Sequence, residues 1–368
     1  MSKTRLQELT EHGVSVWLDY LSRDILQNGK LAQMMDRDAV VGVTSNPTIF
    51  QKALSSGTAY DEQLKELLTR EDDGKEIFLA LSAEDVKEAT ALLRRAWDAT
   101  DHTDGYVSWE VDPDLAYERE ATFEEAKRLH EWIDEPNLYV KIPATAPGVP
   151  AIEDSIAAGR NINVTLIFSL QRYAEVVEAY LRGLERLVES GGDPARVASV
   201  ASFFVSRVDT EADRRLDEVG APDELKGKLA VANAKLAYQR YQELFSGARW
   251  DALKAKGATA QRCLWASTST KNPAYRDVLY VEELIGPETV DTMPEETISA
   301  FQDHGEVAPT LERDLDEARR VFDRVAEVGV DYDDVVAVLE REGVDKFADS
   351  FRELLDGVEA KRGELVSA

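Results

Sequence analysis

Leu138-Tyr139-Val140-Lys141-Ile142-Pro143 is a short apolar run with one charge in it. Its length and its β-branched and aromatic content read as a strand buried on both faces. An ammonium in such a strand is costly unless something pairs it. One use for a desolvated lysine repays that cost: the neutral amine attacks a carbonyl and forms a Schiff base. The plain alternative is a lysine whose stem packs while its head reaches water.

Seven further runs of the same kind flank this one. They are 14–19, 39–43, 106–111, 162–167, 198–204, 263–266 and 288–292, the last being the weakest. Between most of them lie amphipathic stretches: 20–35, 58–70, 83–100, 116–133, 149–158, 170–190, 208–218 with 222–245, and 274–285. Eight strands alternating with helices predict an α/β fold, a (β/α)8 TIM barrel rather than an open sheet. Two helices are expected between the second and third strands and two between the sixth and seventh, as insertions on one body. From about 294 onward the pattern is helical, over 295–303, 311–328 and 331–358. With no linker, low-complexity tract or repeat, residues 1–368 read as one domain with the C-terminal helices packed on it.

Polar side chains fall late in these strands. Asp19, Glu110, Lys141, Asn163 with Thr165, and Ser202 do so, and Thr44-Ser45-Asn46-Pro47 follows the second strand. In a (β/α)8 barrel those ends form the active-site face. Each also has a structural explanation. Asp19 fits a helix cap, Asn46 a turn before Pro47, Glu110 a counter-charge for Lys141, and Thr165 a good strand former. Together they describe a pocket with one amine, two carboxylates and hydroxyl-binding groups. Such a pocket suits imine chemistry on a ketose: an iminium serves as electron sink while a carboxylate takes the hydroxyl proton. That chemistry calls for no metal and no cofactor.

Composition sets the outer limits. The 368 residues carry 43 Lys and Arg against 71 Asp and Glu, a net charge of −28. That disfavours nucleic acid and anionic membranes as partners. It also means that an anionic substrate needs a local cationic pocket. No stretch approaches the roughly 18 apolar residues of a membrane helix. Met1 to Glu8 lacks an apolar signal core, so a soluble cytoplasmic protein is expected. The lone Cys263 excludes an internal disulfide and sits in an apolar run. His12, His102, His130 and His304 show no ligand spacing. Neither a P-loop nor a strand-linked dinucleotide fingerprint occurs.

Four motifs in order give a resemblance. Val43-Thr44-Ser45-Asn46-Pro47-Thr48, Tyr139 to Thr145 (YVKIPAT), Asn161 to Ser169 (NINVTLIFS) and Val200 to Arg207 (VASFFVSR) are ordered and spaced as in the transaldolase family, from about residue 10 to 310. The length and the region from Trp265 to Pro273 look like its longer bacterial branch. The resemblance implies transfer of a dihydroxyacetone unit from sedoheptulose 7-phosphate to glyceraldehyde 3-phosphate in the pentose phosphate pathway. It implies that Lys141 forms the Schiff base and Asp19 is the acid/base for C–C cleavage. Glu110 and Thr165 would manage the water of imine formation and hydrolysis. Asn46 and Asn163 would bind the dihydroxyacetone hydroxyls. Ser202 and Phe204 would line the pocket, and Arg207 would bind the phosphate. It departs from the family after the seventh strand, where Ser267-Thr268-Ser269-Thr270-Lys271-Asn272 stands for the usual Ser-x-Arg. On that resemblance Lys271 would replace the arginine two residues later, and lysine holds phosphate as a point charge, not a fork. Phe203 stands where relatives often have proline. The partners implied are small sugar phosphates, with a monomer or homodimer.

Two other readings are open at this stage. An aldolase on the same fold would release free dihydroxyacetone. A catalytically silent acidic scaffold would need none of Lys141, Asp19 and Glu110.

Overall fold

The computed structural model describes residues 3–55 and 57–367. Met1 and Ser2, which open the N-terminal segment read above, lie outside the described residues. Eight parallel strands close into a barrel in chain order. They are β1 (Val14–Leu18), β2 (Val40–Thr44), β3 (Tyr106–Glu110), β4 (Leu138–Pro143), β5 (Ile162–Ile167), β6 (Ser199–Phe204), β7 (Arg262–Ala266) and β8 (Thr289–Met293). Closure is direct, because β1 pairs with β8 along its whole length, from Val14 opposite Thr289 to Leu18 opposite Met293. The expected (β/α)8 barrel is therefore the fold, and each expected strand lies within a residue or two of an observed one. Short parallel strands buried on both faces read as continuous apolar runs.

The helices differ more from expectation. Residues 20–35 break into Arg23–Gln27 and Lys30–Arg37, because Gly29 adopts a left-handed backbone between them. Pro47–Ser55 precedes Asp61–Leu67 and Gly74–Ala99, so three helices, not two, join β2 to β3. A third helix, Ala248–Lys254, likewise follows Ser206–Glu218 and Leu229–Leu244 before β7. The 274–285 stretch is helical only over Leu279–Glu283. An unforeseen helix, Arg5–Glu11, opens the described chain behind a capping box built by Thr4 and Gln7. The tail forms Glu295–His304, Leu315–Glu327 and the long C-terminal helix Tyr332–Ser367. No helix among the described residues is long and apolar enough to cross a membrane.

Side chains alternate across each strand, so every second residue shares a face. On the inner face the floor of the barrel carries a buried ion pair, Arg262 with Asp104. Arg262 donates to Ser15 Oγ at 2.8 Å, to the Thr103 carbonyl at 2.6 Å and to Asp104 at 3.0 Å. Asp104 also accepts from Ser15 Oγ and from Trp17 Nε1. Above this cluster Trp17 fills the space beside Gly42. A Cβ on Gly42 would lie 2.4 Å from the indole, so only glycine admits that ring. Tyr106 stacks on Tyr139 with ring centroids 4.1 Å apart. These groups plug the bottom and leave the catalytic end to the strand C-termini.

Removing one partner of a buried ion pair strands the other charge. Arg262→Ala is expected to lower unfolding stability by about 3–5 kcal/mol in denaturant titrations. The KM of the folded fraction should stay unchanged, because the floor lies away from the pocket.

Candidate functional site

A pocket of about 330 Å³ opens at the C-terminal ends of the strands. Asp19, Asn46, Lys141, Thr165, Ser202, Phe204, Arg207, Ser267 and Lys271 all line it. Nine of the eleven residues expected at the site thus converge from six strands and the segments that follow them. The other two, Glu110 and Asn163, stand behind the wall. Glu110 lines a smaller neighbouring cavity with Ser45, Asn46 and Trp109. Asn163 lies beneath Ser202, with both ends of its amide occupied.

The register explains this grouping. Glu110 is opposite Lys141, Lys141 is opposite Asn163, and Pro143 is opposite Thr165. Neighbours in register on parallel strands point the same way, so one layer carries the carboxylate, the amine and the amide. Lys141 Nζ donates to Glu110 Oε2 at 3.2 Å and to the Ser45 carbonyl at 2.9 Å. The two side chains are 7% and 6% exposed, so solvent contributes little to pairing them. Burial raises the Glu110 carboxyl above its ordinary value against the pull of Lys141. Ser202 Oγ donates to Asn163 Oδ1 at 2.6 Å, and Asn163 Nδ2 donates to Ser108 Oγ at 3.0 Å. Thr165 differs from these: its buried hydroxyl has no hydrogen-bond partner among the described residues. The ladder between β5 and β6 is interrupted after Val164, and Leu166 takes a left-handed backbone there. A break of this kind re-aims side chains at a strand end.

Asp19 does not cap the next helix. Ser22 occupies that N-cap position. Instead Asp19 Oδ1 accepts from Thr44 Oγ1 at 2.7 Å, and Thr44 Oγ1 lies 2.7 Å from Thr292 Oγ1. The hydroxyls thus form a relay, Thr292 to Thr44 to Asp19. Burial raises the Asp19 carboxyl, while the Thr44 bond and the cations Lys141, Arg207 and Lys271 oppose the rise. Asn46 does accept from the Ile49 amide at 3.1 Å, so its turn role holds alongside its place in the wall.

Arg207 begins the helix after β6. It makes no salt bridge with its neighbours: Asp209 accepts from Tyr280 and the Ala230 amide, and Glu211 pairs with Arg214 and Arg215. Its guanidinium carbon lies 5.1 Å from the Phe204 ring and 5.8 Å from the Phe347 ring, and Nη1 is buried with no hydrogen-bond partner among the described residues. A cation held between aromatics with a spare donor is suited to an oxyanion. Lys271 Nζ donates to Ser269 Oγ at 2.7 Å, on the exposed rim. Ser267 has a left-handed backbone, φ 59°, and its hydroxyl meets Ser206 Oγ at 2.8 Å.

Several contributors went unrecognised in the sequence. Thr44 stood inside a quoted motif without a role. Thr292 ends the weakest strand. Thr48 and Lys52 belong to the helix Pro47–Ser55 that the pattern did not reveal, and Phe347 comes from the C-terminal helix. One apolar position among many in a long helix carries no local signal of its place over a pocket. Cys263 is buried, in line with its apolar run, and burial pushes its thiol up to about 12.

The architecture is thus that of a (β/α)8 barrel with a paired lysine at the catalytic end. A family model described as Transaldolase/Fructose-6-phosphate aldolase matches residues 16–358. The chain is 53% identical over 361 residues to a protein from Frankia alni named Transaldolase, covering 97% of each. It is 50% identical over 363 residues to Transaldolase 2 of Streptomyces avermitilis, covering 98% of each. With the Transaldolase of Mycolicibacterium smegmatis it shares 50% over 366 residues, covering 99% of this chain and 98% of the relative. The chain belongs to the transaldolase/fructose-6-phosphate aldolase family.

Beneath the Ser267–Lys271 loop, Thr268 Oγ1 donates to Asp291 Oδ1 at 2.8 Å. Asp291 adjoins Thr292 on β8 and so faces away from the pocket. Burial raises its carboxyl to about 7, opposed by the Thr268 bond. The folded state therefore holds a proton that the unfolded state releases near 3.8. This contribution is fully present below pH 3.8 and is lost as pH rises to about 7. Asp291→Asn should flatten that fall by more than about 1 kcal/mol, measured as the difference between unfolding free energies at pH 5 and pH 8.

Proposed function

We propose that this protein is a transaldolase, moving a dihydroxyacetone unit from sedoheptulose 7-phosphate to glyceraldehyde 3-phosphate to give erythrose 4-phosphate and fructose 6-phosphate. The observation that carries the reading is Lys141: a buried amine, paired with Glu110 at 3.2 Å, on the wall of a pocket whose other walls hold hydroxyls and cations. Full-length relatives named transaldolase support transfer over simple release of dihydroxyacetone. A single domain, with the C-terminal helices packed on the barrel, belongs to the same proposal.

In this mechanism the neutral Lys141 amine attacks C2 of the ketose. Glu110 and Thr165 handle the protons and the water that leaves as the carbinolamine becomes an iminium. Asp19 takes the C4 hydroxyl proton as the C3–C4 bond breaks, and the bonding pair moves into the iminium to form an enamine. The aldose leaves and the acceptor aldehyde enters. The enamine carbon attacks it, Asp19 returns the proton, and water hydrolyses the new iminium. Thr44 and Thr292 hold the Asp19 carboxylate toward the reacting hydroxyl. Asn46 and Ser202 bind the hydroxyls of the three-carbon unit. Asn163 accepts from Ser202 and donates to Ser108, and so orients Ser202 toward those hydroxyls. Arg207 and Lys271, with Ser267 and Ser269, hold the phosphate.

Borohydride trapping with fructose 6-phosphate, followed by peptide mass mapping, tests the reading. A three-carbon adduct on Lys141 is expected, and its absence from folded protein would remove the Schiff-base mechanism. Arg207→Ala tests the phosphate assignment. It should raise KM for phosphorylated sugars at least about tenfold, well beyond any fall in kcat, since a contact made equally in ground and transition states affects binding alone. An unchanged KM would take Arg207 out of the phosphate site.

A further inference from the structure

The C-terminal helix crosses the mouth of the barrel, held at points along its length. Tyr332 donates to Asn233 at 2.7 Å and accepts from the Leu170 amide at 3.2 Å. Asp334 pairs with Arg215 at 2.6 Å, and Glu340 with Arg172 at 3.3 Å. Thr48 Oγ1 donates to Ser350 Oγ at 2.7 Å. Gly343 lies close enough to the irregular end of β5 that an added Cβ would sit 3.1 Å from Leu166 Cδ2. Between these points the helix lowers one ring, Phe347, into the pocket wall.

That ring is 6% exposed and lies over both functional cations. Its centroid is 5.8 Å from Lys141 Nζ and 5.8 Å from the Arg207 guanidinium carbon. Much of the surrounding wall can order water: Asp19, Thr44, Asn46, Thr165 and Ser202 are all polar. Phe347 can neither donate nor accept a conventional hydrogen bond. It comes from no barrel strand but from the C-terminal helix Tyr332–Ser367.

We propose that Phe347 determines whether the bound three-carbon unit is transferred or lost to water. This inference rests on the transaldolase reading above. After the C3–C4 bond breaks, the enamine has two fates. Its carbon can attack an aldehyde, which completes transfer. Alternatively that carbon takes a proton from water, giving the iminium of dihydroxyacetone. The hydroxide so formed adds to the iminium carbon, the proton of the new hydroxyl moves to nitrogen, and Asp19 gives up to solvent the proton it took at cleavage. The C–N bond then breaks to leave free dihydroxyacetone and the Lys141 amine. An apolar ring beside Lys141 denies water its place without blocking the phosphate-bearing aldehyde, which Arg207 draws in. Phe347 is thus a determinant of reaction specificity, acting by exclusion and not by chemistry of its own.

The test compares wild type, Phe347→Leu and Phe347→Ala with fructose 6-phosphate as donor. Free dihydroxyacetone is measured without acceptor, and transfer is measured with erythrose 4-phosphate. The ratio of release to transfer is expected to rise at least about tenfold in Phe347→Ala, with Phe347→Leu between it and wild type. Phe347→Leu keeps the site apolar and carries the test if the alanine variant does not fold. A ratio unchanged in the folded variants, with both rates falling together, would show Phe347 to be packing only and overturn the proposal. A wild-type enzyme that neither forms the Lys141 adduct nor transfers would instead overturn the transaldolase reading, and the proposal with it.

Discussion

The site depends on the pairing of Lys141 with Glu110 across adjacent strands. Both charges are largely buried, and each offsets part of the other's desolvation cost. The pairing is also geometric. Because Glu110 and Lys141 are in register on β3 and β4, with Asn163 next on β5, any slip of one strand by a residue would turn its polar group outward. The barrel's register and the position of its amine are therefore one constraint. The rest of the pocket is arranged around that fixed point, from the hydroxyl relay at Asp19 to the cation held at Arg207.

Polar groups near the pocket divide into those satisfied by protein and those left open. Asn163, Ser202, Ser45 and Thr44 have protein partners that lock their rotamers. Among the described residues, the Thr165 hydroxyl and one Arg207 nitrogen have none. Buried polar atoms without partners are uncommon, and each calls for an explanation. Here two of them belong to residues lining the same cavity, which is what a site shaped for an oxygen-rich ligand would leave unfilled.

The strands were legible in the sequence because a parallel barrel buries them on both faces, which writes them as unbroken apolar runs. Late polar residues in those runs betrayed the catalytic end for the same reason. Helix limits were less legible. The break at Gly29 and the helix Pro47–Ser55 turn on backbone geometry that apolar spacing does not encode. Glu110 and Asn163 were identified by type but not by depth, since which residues of one inward face reach the cavity depends on strand stagger. Phe347 was invisible for a different reason. It reaches the pocket only through the packing of the C-terminal helix on remote elements, a relation between segments and not within one.

The contrast between a −28 body and a pocket rimmed by Arg207 and Lys271 has a kinetic consequence. A phosphorylated sugar diffusing toward this molecule meets repulsion first and attraction only near the mouth. Salt shortens the reach of the outer field to about 8 Å at physiological strength, while the short contact to a buried guanidinium is screened far less. Encounter rates for anionic substrates should therefore climb as ionic strength rises, the reverse of enzymes that steer their substrates in by long-range attraction.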